Sequence, residues 1–374
     1  MIYLDYAANT PVNDEVLNTF IEATKTYIAN PNSSHPAGKL AKEAIDKSSI
    51  HIASYFNTNK ENVIYTSGSS ESNNLVLKGI AERNKDKGNK IIISAVEHSS
   101  IVAPCNYLSS LGYDIDIVPL TKEGIIDIDY LKKSINNETI IVSICAVDSE
   151  LGTVQPIEEI TKIVKKYPNC IFHTDATQAI GKVNINYSDV DFITFAPHKF
   201  FGLNGFGVLI NRNNIKMIPL IHGGKSTTIY RSGTPVTANV LALDKALTLA
   251  IHNLKTKSNH IKELNKILRD HFNKNKNIHI NSPETSIPNT LNISLINYNT
   301  KKVIEELGNK EIYLSTTTAC SIGNMPSKSV LAITNDKSLA SNTIRISISH
   351  LTTKEEINKF INEFDKILEK EKII

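Results

Sequence analysis

The chain of 374 residues lacks the features that mark several classes of protein. No apolar run approaches the roughly 18 residues that a membrane-spanning helix needs. Cysteines are few, at positions 105, 145, 170 and 320. Their spacing matches neither a metal site nor a disulfide framework, which points to a reducing compartment. No basic stripe accompanies the net charge of +3, so neither nucleic acid nor a membrane surface is expected as a direct partner. Internal repeats and low-complexity tracts are absent too. The opening Met1-Ile2-Tyr3-Leu4-Asp5 meets an acid too early to read as a signal peptide, and a cytoplasmic location is expected.

What is present is ordinary for a globular protein: 41% hydrophobic and 21% charged residues, with length enough for two domains. From about residue 40 to 212, short β-branched runs alternate with amphipathic stretches. Ile91–Val96, Thr139–Ile144, Ile171–His173 and Gly207–Ile210 are such runs. Continuous apolar strands of this kind predict a mostly parallel sheet covered on both faces. After about residue 250 a polar helical stretch leads to a second unit. It contains the strand patterns Asn289–Leu295 and Thr343–Ile348 and a closing helix with Thr353 and Glu356 in a capping box. The expected fold class is therefore α/β, with a large domain over 13–250 and a small α+β domain over 251–374. Residues 1–12 are expected to pack near the latter.

In a sheet of this type, ligands bind beyond the carboxyl ends of the strands. Glu97-His98, Asp148-Ser149-Glu150, Asp175 and His198-Lys199 all fall there. Asp175 closes one apolar run and Lys199 closes the next, Asp191 to Lys199. An amine and a carboxylate on successive strand ends match what pyridoxal phosphate requires. The amine bonds its aldehyde carbon, and the carboxylate keeps the pyridine nitrogen protonated. Strand ends also carry charges that simply meet solvent. Thr66-Ser67-Gly68-Ser69-Ser70 opens a predicted helix, so its N–H groups, hydroxyls and dipole suit an anion, or it is a plain N-cap. His98 is placed to stack on a planar ring, and Gln178 to donate to a phenolate oxygen. Arg345 within an apolar strand calls for an anion, either a bound carboxylate or an internal salt bridge. Cys320 sits in a stretch of small polar residues without periodicity, a predicted surface loop where a thiolate would be reactive.

These residues, in this order, resemble the cysteine desulfurases of the NifS/IscS type, which are fold-type I pyridoxal-phosphate enzymes. The likeness runs almost the whole length. It rests on Tyr3–Pro11, Asn30–His35, Thr66-Ser67-Gly68 with Glu71-Ser72, Glu97-His98, Asp175–Gln178, His198-Lys199, Arg231–Thr234, Pro288–Thr290 and Ala319-Cys320-Ser321. The resemblance implies that Lys199 holds the cofactor and moves the Cα proton. Asp175 would pair with the pyridinium, His98 stack on the ring and Gln178 touch its phenolic oxygen. Ser69, Ser70 and His198 would hold the phosphate, joined by Thr234 from the other subunit of a homodimer. Arg345 would clamp the carboxylate of L-cysteine. Cys320 would take the sulfur as a persulfide for an acceptor protein, in iron–sulfur assembly or tRNA thiolation.

The sequence also departs from the family pattern. Ser149 replaces a cofactor-facing amide, Ala196 a phosphate-binding serine, and His350 a common arginine. Lys225–Ile229 lacks the usual Gln-Glu-Arg-Gly, and the Cys320 loop is one residue short before Pro326. Each hydrogen bond lost to a charged phosphate costs about 1.5–3 kcal/mol if nothing compensates. Two other readings stay open: a pyridoxal-phosphate lyase acting on selenocysteine, and a degenerate family member that serves as a binding partner.

Overall fold

A computed structural model describes residues 1–252, 254–316 and 325–371. Seven of its strands form one sheet: β2 (Val63–Thr66), β3 (Lys90–Ser94), β4 (Asp114–Val118), β5 (Thr139–Ser143), β6 (Ile171–Asp175), β7 (Phe192–Phe195) and β8 (Gly207–Asn211). They run in the order β2-β8-β7-β6-β5-β3-β4. The pairs β3–β4, β3–β5, β5–β6 and β6–β7 are parallel, while β8 is antiparallel to both β7 and β2. The sheet matches the mostly parallel arrangement that the sequence predicts.

Alternation along the strands explains why both faces are covered. In β2, Val63 and Tyr65 join one buried cluster and Ile64 joins another; in β8, Val208 and Ile210 face the first and Leu209 the second. Neighbouring side chains point to opposite faces of a strand, so a continuous apolar run fills two cores at once. Helices α2 (Pro36–Ser54), α3 (Ser69–Arg83), α4 (Ser99–Ser110), α5 (Ile128–Ser134) and α6 (Ile157–Val164) touch the sheet, while α1 (Asp14–Thr26) packs against α7 (Thr237–Ile251), which also lies on α2.

A separate core surrounds a three-stranded antiparallel sheet of β9 (Ile278–Ile280), β10 (Thr290–Leu295) and β12 (Thr343–Ser347), with β10 in the centre. Leu291, Ile293, Ile344 and Ile346 pack there against Phe360 and Phe364 of the closing helix Lys354–Lys370. Its expected capping box is present. The chain's first residues join this core: β1 (Ile2–Tyr3) pairs in parallel with β11 (Ile312–Tyr313), and Ile2 and Leu4 are buried in it. Asp5 forms a bridge with Ser347 and so lies beside β12. Among the described residues no helix is long and apolar enough to cross a membrane.

Candidate active site

Beyond the carboxyl ends of β3, β5, β6 and β7 lies a cavity of about 340 Å³. His98, Ser149, Asp175, Gln178, Lys199 and Arg345 line it, together with His198 and the turn Ser67–Glu71. Thus His98, Ser149, Asp175, His198 and Lys199, all singled out in the sequence, converge on one space, and β12 adds Arg345 from the other sheet. Glu97, Asp148 and Glu150 do not line the cavity; they are buried around it.

Lys199 reaches the cavity differently from the sequence expectation. It does not close its strand: β7 ends at Phe195, and Pro197–Lys199 forms a single 3-10 turn. Pro197 has no N–H for the strand ladder, so the chain leaves the sheet there. The ammonium of Lys199 donates to the carbonyls of Ala7 at 2.9 Å and Ala8 at 2.6 Å, which draws the amino-terminal segment against the site.

Asp175 does end its strand, and it is well anchored. Its Oδ1 accepts the Thr177 N–H at 3.0 Å, and Oδ2 accepts from Asn73 Nδ2 at 2.8 Å. Asn73 is fully buried on the second turn of α3 and also donates to Ser100 Oγ at 2.9 Å. Ser100 in turn serves His98: its N–H donates to Nδ1 at 3.1 Å, and its hydroxyl lies 2.8 Å from the same nitrogen. A neutral imidazole that accepts at Nδ1 carries its proton on Nε2. Burial holds the His98 pKa below its usual value; nearby Asp175 opposes this and Lys199 adds to it. Asn73 was not singled out in the sequence. Its one signal was position, one helical turn after Ser69 on the face of α3 that packs on the sheet.

The turn before α3 suits an anion. The first-turn N–H groups of this 15-residue helix have no intrahelical partner and point past Ser69 and Ser70. Space is open above Gly68, where an added Cβ would meet nothing within 4 Å. Below it the approach is tight. A Cβ on Gly207 would lie 2.4 Å from the Gly68 carbonyl carbon, so β8 can pass under the turn only because that position is glycine. Ser69 Oγ is 2.8 Å from Thr177 Oγ1, tying the helix start to the Asp175 turn.

Arg345 is 1% exposed and makes the internal salt bridge that was one of the two readings open for it. Its Nη2 donates to Asp5 Oδ1 at 2.9 Å and its Nη1 to the Ser149 carbonyl at 3.2 Å, while its guanidinium still lines the cavity. The buried Nε has no hydrogen-bond partner among the described residues. Nearby, Asp148 Oδ2 accepts from Ser329 Oγ at 2.9 Å, and Glu150 accepts from Ser327 Oγ. Burial, and then the neighbouring Asp148, push the Glu150 pKa up to about 7. Burial, followed by Asp175 and Asp148, raises that of Glu97 to about 8 against the hydrogen bonds it accepts from Ser94 and Cys145.

The remaining candidates fall as follows. Gln178 Nε2 donates to the Ala7 carbonyl at 2.9 Å. Burial, then Lys199 and Lys182, lower the His198 pKa to about 4. Thr234 lines a neighbouring cleft of about 130 Å³, which shares Ser67 with the larger cavity. Ala196 is fully buried and does not line the cavity. His350 packs edge-on against Phe201, with ring centroids 4.7 Å apart. Cys320 lies outside the described residues. Cys105, Cys145 and Cys170 are all buried, and burial raises each thiol's pKa.

Comparison with known proteins agrees with this arrangement. Residues 2–360 match the aminotransferase class-V family model. A cysteine desulfurase IscS of Dictyoglomus turgidum is 35% identical, over 99% of this chain and 95% of its own length. A mitosomal cysteine desulfurase of Encephalitozoon cuniculi is also 35% identical, over 99% of this chain and 87% of the relative. A solved NifS-like protein superposes with a TM-score of 0.93 at 32% identity, covering 98% of this chain and 99% of the other. The chain belongs to the class-V aminotransferases, fold-type I enzymes that use pyridoxal phosphate. Within that family its likeness is to the NifS/IscS cysteine desulfurases.

The residues present fit that cofactor. The open space over Gly68 at the start of α3 suits its phosphate, with His198 alongside. Asp175, held by Asn73 and Thr177, offers a carboxylate for the ring nitrogen. Lys199 supplies the amine in the same cavity.

Proposed function

We propose that this protein is a pyridoxal-phosphate-dependent cysteine desulfurase, converting L-cysteine to L-alanine and leaving the sulfur as a persulfide on Cys320. The observation that carries the reading is the meeting of Lys199, Asp175, His98 and Arg345 around one cavity. The family and its cysteine desulfurase members support it.

When bound, pyridoxal phosphate supplies an electron sink for the substrate's Cα. The protein's own groups do the rest. Arg345, buried and aligned by Asp5, binds the substrate carboxylate through its unengaged N–H groups. Lys199 moves the Cα proton. His98, with Nδ1 occupied by Ser100, turns its Nε2–H toward the cavity and holds a proton there. The Cys320 thiolate attacks the substrate sulfur. A sulfur–sulfur bond forms as the Cβ–S bond breaks, its electron pair stays on Cβ, and a proton completes alanine. The described cysteines support the choice of thiol, because each is buried and held protonated.

We further infer a homodimer in which the partner's copy of the Thr234 segment completes the phosphate site. Exposed Ile229 and Val236 flank that segment and support the inference. The product sulfur would pass to an acceptor protein for iron–sulfur assembly or tRNA thiolation, in the cytoplasm.

The test begins with colour. Protein incubated with pyridoxal phosphate should gain a band near ~420 nm that Lys199→Ala removes. It should then release alanine from L-cysteine. Cys320→Ala should keep the band and lose the persulfide; sulfide production at the parent rate in that variant would refute the role of Cys320. Selenocysteine turnover that survives Cys320→Ala would favour the lyase reading.

A further inference from the structure

Lys182 belongs to none of the motifs discussed so far. It is a half-buried lysine, and no carboxylate lies within ion-pair distance of it among the described residues. A run of turns after Asp175 places it. Ile180 N–H bonds the Ala176 carbonyl and Val183 N–H the Ala179 carbonyl. Gly181 has φ +73 and touches α7, where an added Cβ would come within 2.8 Å of the Ala250 Cβ. This segment brings Lys182 one turn past Gln178, and its Nζ donates to Gln178 Oε1 at 2.5 Å.

That contact determines which way the Gln178 amide faces. An ammonium has only donors and a backbone carbonyl only acceptors. With Lys182 on one side and the Ala7 carbonyl on the other, Oε1 must face Lys182 and Nε2 must face Ala7. The flipped amide would set donor against donor and acceptor against acceptor. One N–H of the amide is spent on Ala7, and the second remains for the cavity that Gln178 lines. The same Ala7 carbonyl accepts from Lys199, so the three side chains form one connected set. Lys199 lines both the large cavity and a smaller one of about 40 Å³, whereas Lys182 lines only the smaller.

We propose that Lys182 is a positioning residue: by locking the Gln178 amide, it presents an N–H donor to the bound cofactor. This rests on the pyridoxal-phosphate reading above. Among the described residues, no acidic side chain lines the smaller cavity with Lys182. Lys199, Lys257, His350 and Tyr6 share the smaller cavity with it, and the Arg345 charge also reaches it. Burial, then Lys199 and Arg345, push its pKa down to about 7. Loss of its charge within the working pH range would therefore loosen the lock.

The experiment uses holoenzyme, reading cofactor retention by dialysis and the pH titration of its absorption band. Lys182→Met should release cofactor roughly tenfold more readily and move the titration midpoint, whereas Lys182→Arg should keep both near the parent. In a Gln178→Met background, adding Lys182→Met should change retention less than about twofold, because its route of action is gone. An equal loss in both backgrounds, or a Lys182→Met protein that titrates like the parent, overturns the proposal. If Lys182→Met does not fold, Lys182→Gln serves instead, since its amide still donates. Retention within about threefold supports the lock, and a tenfold loss refutes it. A parent protein that takes up no pyridoxal phosphate overturns both this proposal and the reading beneath it.

Discussion

Arg345 and Asp5 lie 340 positions apart in sequence and form an ion pair of 2.9 Å at the edge of the cavity. The other Asp5 oxygen accepts from Ser315 Oγ at 2.8 Å, and Ser315 also pairs through its backbone with Arg345. One carboxylate therefore aligns the guanidinium and ties down the chain just before the Cys320 segment. Asp5→Ala would leave a nearly buried cation uncompensated, at a stability cost on the order of 3 kcal/mol. KM for L-cysteine should rise at least about tenfold at the same time. Urea unfolding together with steady-state kinetics checks both, and a variant as stable as the parent would contradict the pairing.

Asn73 carries a second prediction. It joins Asp175 to Ser100, and through Ser100 to His98. Asn73→Leu keeps approximate size but removes both donors, leaving the Asp175 Oδ2 and Ser100 acceptors unmet at about 1–3 kcal/mol each. Cofactor affinity should fall by roughly tenfold or more in equilibrium dialysis. Wild-type affinity in that variant would show that Asp175 needs no such support.

The pH dependence of stability follows from Glu97, which is 4% exposed and has its pKa raised to about 8. The folded protein keeps this proton where the unfolded chain, with an ordinary glutamate, gives it up. Stability from this group is thus complete below about pH 4.5 and is lost as pH rises toward 8. Glu150, raised to about 7, acts with the same sign over pH 4.5 to 7. Glu97→Gln should flatten the decline, gaining on the order of 1 kcal/mol at pH 8 while changing little at pH 4. Chemical denaturation of apoprotein at the two pH values distinguishes this from a uniform effect.

Ser149, where the family resemblance leads one to expect an amide, lines the cavity while its carbonyl holds Arg345. Ser149→Asn restores an amide to that wall without disturbing the carbonyl. If the amide reaches the cofactor, retention should improve by about 0.5–1.5 kcal/mol, or roughly two- to tenfold. Unchanged retention would mean that the hydroxyl already serves.

Much of this site was legible because its chemistry is strung along the sequence in fixed order. Asp175 was readable as a strand end because its strand is a plain apolar run. Lys199 misled by four residues, since apolar periodicity continues through Ala196 and only Pro197 signals the exit from the sheet. Arg345 announced itself as a misplaced charge, but nothing local named Asp5 as its partner. Asn73 was missed because it reads as an ordinary helical polar residue and Lys182 because it reads as an ordinary lysine beside a glycine turn; their value lies wholly in what they touch.

The amino-acid order by itself determined the two-faced strands, the helix starts at Ser69 and Thr353, and the inventory of amine, carboxylate, imidazole and guanidinium. Those depend on side-chain size, polarity and neighbours a few residues away. Tertiary structure alone decided which of these groups share a cavity, and that Asp5, Asn73 and Lys182 orient them. Such contacts are set by sheet register and by the packing of distant segments, and hydrogen-bond geometry at 2.5–3.2 Å leaves no trace in a pattern of polar and apolar letters.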